Sequence, residues 1–240
     1  MIDVLCHLEL LADPAAELVE AAQLGVTDVV SAGRDPTLPE EIRATVAAPR
    51  VWRAYGIHPA HVDEPRLFVQ LAALEERLHG SAVVALGECG LDARPGMPPV
   101  AVQEQALLAQ LSIAVARDLP CIFHVVRSDA RFLALLQPFA GRVRGLWHGF
   151  SGSLETARRA AAAGIVISAG PRLLDPRARR LRGAVAGLPP STLVLETDAP
   201  DAPLSKLPTV AAEVALLCGA EVAAVRAATT ERARRLLGLR

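Results

Sequence analysis

The sequence predicts a single (β/α)8 barrel, and two observations carry that prediction. Eight short apolar runs, rich in β-branched residues, recur along the 240 residues, with segments of helical periodicity between them. Continuous rather than alternating apolar runs are typical of parallel strands that are packed on both faces. A doubly wound open sheet is the alternative, but the first strand-to-helix turn lacks a GxGxxG phosphate loop. We expect one domain over residues 1–240.

The elements follow one another in a regular order. The eight runs are MIDVLCHL, VTDVVSAG, VWRAYGIH, AVVALGE, CIFHVV, VRGLWHGF, IVISAG and LVLETD. Helical periodicity is clearest in PAAELVEAAQLG, EQALLAQLSIAVARDL, LETARRAAAAG and EVAAVRAATTERARRLLGL. Asp13-Pro14 and Ser153 with Glu155 are typical helix starts, and Gly25 stands where the first helix should end.

The amino-acid composition argues against several classes of function. The chain has 25 Lys and Arg against 26 Asp and Glu, a net charge of −1, which argues against a strongly basic protein that coats nucleic acid. Aromatic residues make up 3%, which argues against a base-stacking platform. The four cysteines are scattered without a CxxC pair, and no run has the length of a membrane span. We expect a soluble cytoplasmic protein with no membrane partner and no obligate protein partner.

Metal-ligating side chains stand at the ends of six of the eight runs: His7, His58, Glu88, His124, His148 and Asp198. The carboxyl ends of barrel strands converge on one mouth, where catalysis takes place. A single histidine after an apolar run is more often a packed or surface residue, but a buried carboxylate needs a cation or strong hydrogen bonds. The set therefore predicts a metal site at the mouth.

Other polar residues have more ordinary interpretations. His61 and His79 are assigned to solvent, and Asp92 either orients a ligand or caps the next turn. Five arginines follow the seventh strand: Arg172, Arg177, Arg179, Arg180 and Arg182. They can meet phosphate at the mouth, although a solvated helix face is the favoured interpretation for the later members.

The first strand raises a question of its own. Residues two apart on a strand point the same way, so we expect Asp3, Leu5 and His7 to share one face. If His7 binds a metal, a second ligand is expected at position 5, but a leucine stands there.

These motifs resemble the TatD family of metal-dependent hydrolases, within the amidohydrolase-like barrels, over essentially the whole chain. MIDVLCHLEL is similar to the family's opening D-x-H-x-H, YGIHP to G-[IL]-H-P, and VALGECGLD to GE-x-GLD. CIFHVVRSDA corresponds to the histidine strand, WHGFSGS to H-x-F-[ST]-G, and LVLETDAP to LETDAP. Three departures stand out: Leu5 replaces a histidine, Val126 a common arginine, and Arg232 a common asparagine.

The resemblance implies one or two divalent ions, of Zn, Mn or Mg. His7, Glu88 and Asp198 would hold the first, and Glu88 would bridge to a second held by His124 and His148. His58 would contact substrate phosphate, and Arg127 is the candidate to replace the arginine lost at position 126.

The resemblance also implies phosphodiester hydrolysis of DNA or a small phosphodiester, with 3′–5′ exonuclease character. Water activated by the metal would attack, Glu88 would hold the metal cluster together, and Asp198 is the candidate proton acceptor. A small-molecule amidohydrolase or esterase is the alternative, because the same cluster attacks carbonyls. A non-catalytic metabolite-binding barrel is a third hypothesis, motivated by Leu5.

Overall fold

The computed structural model describes residues 1–38 and 49–239. Eight parallel strands form one sheet in the order in which they occur along the chain, as the barrel prediction requires. The strands are β1 Ile2–Cys6, β2 Asp28–Gly33, β3 Arg50–Tyr55, β4 Val83–Asp92, β5 Cys121–Val126, β6 Gly145–His148, β7 Ile165–Ala169 and β8 Leu193–Leu195. Each coincides with one of the eight apolar runs, so the prediction of a (β/α)8 barrel is confirmed.

Helices surround the strands in the described part of the chain. They are α1 Pro14–Gln23, α2 Leu67–Arg77, α3 Val100–Ala116, α4 Asp129–Leu135, α5 Leu154–Ala162, α6 Arg179–Ala186, α7 Leu207–Cys218 and α8 Val222–Leu237. The helix expected directly after β2 falls on residues 39–48, outside the described residues. In residues 1–38 and 49–239, no single helix has the length and apolar composition of a membrane span, and only the bent pair 204–218 and 222–237 has them jointly.

Two apolar clusters pack on opposite faces of the sheet. The inner one fills the barrel with one or more residues from each strand and with the end of α8: Ile2, Val4, Leu5, Val30, Ala32, Ala54, Val84, Ala85, Ile122, Leu146, Val166, Val194, Ala233, Leu236, Leu237 and Leu239. The outer one joins the remaining strand residues to the helices. Because α8 closes the amino-terminal end of the barrel interior, access to the interior is from the carboxyl ends of the strands.

Register shifts interrupt two strands at positions that matter for the site. In β1 the pairing with β2 slips between Asp3 and Cys6, so the strict alternation of side chains is lost. Leu5 consequently packs in the inner cluster, while Asp3 turns towards Thr197. The expectation that Asp3 shares the face of Leu5 and His7 is therefore wrong, because a bulge changes the two-residue period.

A second shift, between Gly87 and Cys89, leaves Glu88 as the extra residue of β4. The strand continues to Asp92, so Glu88 lies within it rather than at its end as the sequence analysis assumes. Glycines let this segment approach its neighbours: Gly90 has a φ of +147°, and a Cβ there would collide with the carbonyl oxygen of His124. Gly56 has the same role on the other side, where a Cβ would collide with the carbonyl oxygen of Glu88.

Backbone hydrogen bonds connect the first strand to the segment that follows the last. Asp198 N–H donates to the carbonyl oxygen of Leu5 at 3.0 Å, and His7 N–H donates to that of Ala199 at 2.8 Å. These two bonds bring residues almost two hundred positions apart to the same edge of the mouth.

Candidate metal centre and active site

Glu88 lies at the centre of the histidines that the sequence analysis selects. Its carboxylate oxygens are 2.6 Å from His148 Nε2, 3.0 Å from His7 Nε2, 3.6 Å from His124 Nδ1 and 4.0 Å from His58 Nε2. Glu88 is 1% exposed. Burial alone would raise the pKa of this carboxyl, but the facing imidazoles of His148 and His7 hold it well below its usual value. The structure therefore brings four of the other five predicted residues around the buried charge of Glu88.

His7 presents a free lone pair to this charge. Its Nδ1 donates to the carbonyl oxygen of Ala32 at 2.7 Å, which fixes the tautomer. The Nε2 atom of a neutral His7 then faces Glu88 Oε2 at 3.0 Å and Asp198 Oδ1 at 3.5 Å. This nitrogen and both carboxylate oxygens are all hydrogen-bond acceptors. Only a proton or a cation makes this arrangement favourable. In the protein alone a proton fills that role: although burial lowers it, the pKa of His7 rises to about 12 because of Glu88.

His124 is oriented by a carboxylate from the same sheet. Asp92 Oδ2 lies 3.1 Å from His124 Nε2, so this nitrogen donates and Nδ1 is turned towards Glu88. Asp92 itself is fixed by Arg94, whose Nε donates to Asp92 Oδ2 at 2.8 Å. Both interpretations left open for Asp92 match this geometry: Oδ2 orients His124, and Oδ1 accepts from Arg94 N–H at 3.0 Å and so caps the next turn. Such carboxylate–histidine pairs are common around metal sites.

His148 lies next to both Glu88 and His124. Its Nε2 is 2.6 Å from Glu88 Oε1 and 3.0 Å from His124 Nδ1. Burial lowers the pKa of His148, but Glu88 raises it overall to about 9. Its other nitrogen, Nδ1, is buried and has no hydrogen-bond partner in the described residues. Asp198 Oδ2 lies 3.8 Å from it, beyond hydrogen-bond distance. A buried nitrogen without a hydrogen bond is costly in a purely structural cluster.

His58 differs from the other three histidines. Its Nδ1 accepts a hydrogen bond from Ala60 N–H at 3.1 Å, so in the neutral ring the proton is on Nε2. Burial lowers the pKa of His58 to about 3, which keeps the ring neutral. His58, Glu88 and His124 do offer atoms within 4.8 Å of one another, as metal ligands would. The hydrogen bond from Ala60, however, makes Nε2 a donor into the cleft, which matches a phosphate contact better than a ligand.

All six predicted residues line one opening, which we call the mouth cleft. It has a volume of about 270 Å³ and is also lined by Arg34, His61, Arg94 and Asp201. His61 is half-buried there, so its assignment to solvent is wrong, whereas His79 is exposed as expected. Arg127 follows β5 and is exposed, but it is not among the residues that line the mouth cleft.

A second cavity, the inner pocket, adjoins the mouth cleft. It measures about 380 Å³, shares His124, His148 and Asp198 with that cleft, and extends between Phe150 and Pro171. This volume is within the range of small-ligand sites.

Sequence reasoning missed three buried residues that shape the site. Gln110 of α3 accepts from Ile57 N–H at 2.8 Å and fixes the backbone next to His58, and Gln103 does the same for Asp92 N–H at 2.7 Å. Their buried amides among apolar residues of one helix were the available signal.

Glu196 is the third buried residue that sequence reasoning missed. It accepts from Gly149 N–H at 2.7 Å and lines the inner pocket, and burial raises its pKa to about 7. The signal was an acid two positions before Asp198 in LVLETD.

Comparison with known proteins shows to which family the chain belongs. The family model described as TatD related DNase matches residues 2–238. This chain belongs to the TatD family. The metal-dependent hydrolase YjjV of Escherichia coli K12, whose name calls it uncharacterized, is 36% identical over 214 residues, covering 85% of this chain and 81% of that protein. The 3′-5′ ssDNA/RNA exonuclease TatD of Cronobacter sakazakii is 35% identical over 189 residues, covering 76% and 70%.

Solved structures of other proteins have the same fold as this chain. The crystal structure of the E. coli K12 TatD homologue YjjV superposes with a TM-score of 0.89 at 29% identity, over 100% of this chain and 98% of that one. A TatD family hydrolase from Entamoeba histolytica has a TM-score of 0.83 at 16% identity, over 100% and 98%, and this likeness concerns the fold alone. The predictions of TatD family membership and of a metal-dependent hydrolase are confirmed.

The residues present fit a metal cluster of the TatD type. Ligand atoms ~2.1 Å from one tetrahedral ion lie roughly 3.4 Å apart. The separations within the group of His7, Glu88 and Asp198, at 3.0 and 3.5 Å, are close to that value. The opposed acceptors of His7 and Glu88 and the unpartnered Nδ1 of His148 are features that a bound cation and its shell would satisfy.

Proposed function

We propose that this TatD family member is a divalent-metal-dependent phosphodiesterase, a deoxyribonuclease that removes nucleotides from the 3′ end of single-stranded DNA. One observation carries the proposal. A buried carboxylate among four imidazoles opens into a cleft that also carries Arg34, which suits an anionic substrate at a metal cluster. The relatives named as 3′-5′ ssDNA/RNA exonucleases support the choice of substrate.

We assign the metal ligands in two groups that share Glu88. His7, Glu88 and Asp198 would hold one ion, and Glu88, His124 and His148 the other. With Leu5 in place of an imidazole, the first group has two carboxylates and one nitrogen, which favours harder ions such as Mn²⁺ or Mg²⁺. The second group, with two imidazoles, suits Zn²⁺ as well.

The chain's own residues bind the phosphate and move the proton. When bound, a divalent cation polarises a phosphoryl oxygen and acidifies water. His58 donates from Nε2 to a phosphate oxygen, and the guanidinium group of Arg34 neutralises part of the remaining charge. Arg34 lines the mouth cleft, so it is a better candidate for that role than Arg127, which does not line it. Asp198, whose side chain is 26% exposed at the cleft, accepts the proton of the attacking water.

A small-molecule amidohydrolase or esterase is the second candidate. The apolar walls of the inner pocket at Phe150 and Leu181 would accept the uncharged part of such a substrate. The same cluster of ligands attacks a carbonyl carbon, so the substrate and not the cluster distinguishes the two.

The test is a substrate panel with the wild type and two matched variants. We expect hydrolysis of bis-p-nitrophenyl phosphate and shortening of a 5′-labelled single strand from its 3′ end with Mn²⁺ or Mg²⁺, abolished by chelation. Asp198→Asn should lower kcat by at least about a hundredfold, whereas Asp63→Asn, outside the mouth cleft, should leave it unchanged. Turnover of amides or lactones without any turnover of phosphodiesters would overturn the proposal in favour of the second candidate.

Two broader assignments belong to the same proposal. We take residues 1–240 to act as one catalytic domain, and the cytoplasm as its location. Four free cysteines, three of them buried, are in keeping with a reducing compartment.

A further inference from the structure

A cleft lined by arginines lies beside the active site, and we call it the arginine cleft. It measures about 210 Å³ and is lined by Ser151, Arg172, Arg177, Ala178, Arg179, Arg180 and Leu181. Four of these seven residues are cations, and none is acidic. A concentration of one charge sign at a concave surface attracts ligands of the opposite sign.

The arginine cleft is continuous with the active site. Arg172 and Leu181 line both the arginine cleft and the inner pocket. The inner pocket in turn shares His124, His148 and Asp198 with the mouth cleft. A chain molecule with one end at the metal cluster can therefore follow a single path past Arg172 to the beginning of α6.

The five arginines after β7 separate into two kinds. Arg182 donates to Glu213 and to the carbonyl oxygen of Leu173, and Arg177 is paired with Asp175, so these two are engaged within the protein. Arg172, Arg179 and Arg180 are exposed and form no ion pair in the part of the chain that the structure describes. The solvated-face interpretation does not suit Arg182, which is half-buried and paired, whereas Arg179 and Arg180 are exposed as it expects. It does not explain why three unpaired cations stand together at a cleft.

The position of Arg179 and Arg180 is unfavourable for the protein by itself. They are the first two residues of α6, where the helix dipole is positive and acidic residues are preferred. Adjacent cations there repel each other and the helix end. A local arrangement that costs stability and borders an active-site path indicates a functional reason.

We propose that the arginine cleft binds the phosphate backbone of a single-stranded nucleic acid whose 3′ end occupies the active site. This inference rests on the proposed phosphodiesterase function and adds a binding site at a distance from the reacting bond. The inner pocket, at about 380 Å³, has the volume of a small-ligand site. Arg179 and Arg180 would contact phosphates several nucleotides upstream of the bond that is cut.

The test compares two double variants that lose the same charge. Arg179→Ala/Arg180→Ala removes the two unpaired cations at the start of α6 and leaves Arg172, which also lines the inner pocket, in place. Arg158→Ala/Arg159→Ala removes two exposed arginines from α5 that line neither the arginine cleft nor the inner pocket. Activity is measured on bis-p-nitrophenyl phosphate, a dinucleotide and a twelve-nucleotide oligothymidylate, and binding of the labelled twelve-mer is measured by fluorescence anisotropy at several salt concentrations.

We expect kcat/KM of the wild type to rise with strand length. The α6 variant should lose about tenfold in kcat/KM on the twelve-mer, through KM, and keep its activity on the two short substrates. The slope of log affinity against log salt should become shallower by about 1.4, because each phosphate contact to a single strand contributes ~0.7. Equal losses in both double variants, or no loss in either, would overturn the proposal.

The outcomes also separate this proposal from the proposed function. If the wild type cleaves the short substrates but shows no dependence on length, the arginine cleft proposal fails and the phosphodiesterase stands. If the wild type cleaves no phosphodiester, the proposed function is wrong, and the anisotropy measurement alone tests the arginine cleft proposal. Weaker binding of the twelve-mer by the α6 variant only would support that proposal. Equal binding by all three proteins would refute it.

Discussion

The backbone N–H of Asp198 donates to the carbonyl oxygen of Leu5 at 3.0 Å, so the residue that lacks the expected imidazole lies directly beside a predicted metal ligand. Leu5 is fully buried in the inner cluster, below His7. The backbone of position 5 therefore borders the first group of ligands, and the side chain there is apolar.

Leu5→His should increase the metal affinity of the first group of ligands, formed by His7, Glu88 and Asp198. An imidazole at position 5 adds a nitrogen donor next to His7 and Asp198. We therefore expect at least about tenfold tighter binding of the metal ion that binds second, and a stoichiometry closer to two ions per protein. Titration of Mn²⁺ and Zn²⁺ by calorimetry measures both. Leu5→Asn is the control, because it introduces a buried polar group of similar size without an imidazole. Identical titrations for wild type and Leu5→His would mean that position 5 does not reach the ion.

Glu88→Ala should remove more metal than any other single ligand substitution. Glu88 contacts ligands of both groups, whereas each histidine belongs to one. Elemental analysis of the purified variants is the measurement, with His7→Ala and His148→Ala as comparisons that should each lose only part of the metal. A normal metal content in Glu88→Ala would refute the bridging role.

Metal affinity should fall as the pH is lowered. Burial alone lowers the pKa of His7 and His148, but Glu88 raises them to about 12 and about 9 in the protein without metal. A cation must displace these protons, so below pH 9 each displaced proton weakens binding by up to about tenfold per pH unit. Calorimetry in buffers with different ionisation enthalpies should show release of about one to two protons per ion. His79→Ala, at an exposed histidine, should not change the result, and an affinity independent of pH from 6 to 9 would contradict it.

Asp3→Asn should remove a pH-dependent loss of stability. Burial raises the pKa of Asp3 to about 7 in spite of the hydrogen bonds from Thr197, whereas an unfolded aspartate has a pKa of ~3.9. Between these values the folded state holds a proton that the unfolded state has lost, so the free energy of unfolding declines as the pH rises from about 4 to about 7. At pH 8 the asparagine variant should be more stable than the wild type by roughly 1–3 kcal/mol, in urea titrations followed by circular dichroism.

The difference between the two proteins isolates Asp3 from the other titrating groups. Asp63→Asn should follow the wild-type curve at every pH. Parallel curves for wild type and Asp3→Asn, with the wild type more stable at pH 8, would show that Asp3 is folded as a carboxylate.

The sequence by itself determined the strands, their order and the chemistry of the site. Eight apolar runs became eight parallel strands because each needs packing on both faces. His7, His58, Glu88, His124, His148 and Asp198 all reach one cleft because the carboxyl ends of parallel barrel strands face the same way. Local periodicity and the polar residues that interrupt it are sufficient for these conclusions.

Only the tertiary structure decided which groups face one another and with which nitrogen. The bulges at Asp3 and at Glu88 shift side chains by one position, and the two-residue period of a strand does not reveal them. The roles of His58 and His124 depend on hydrogen bonds from Ala60 and to Asp92, which come from loop geometry and from a neighbouring strand. The path from the inner pocket to Arg179 and Arg180 exists because separate segments border one cavity, a contact that no local pattern in the sequence encodes.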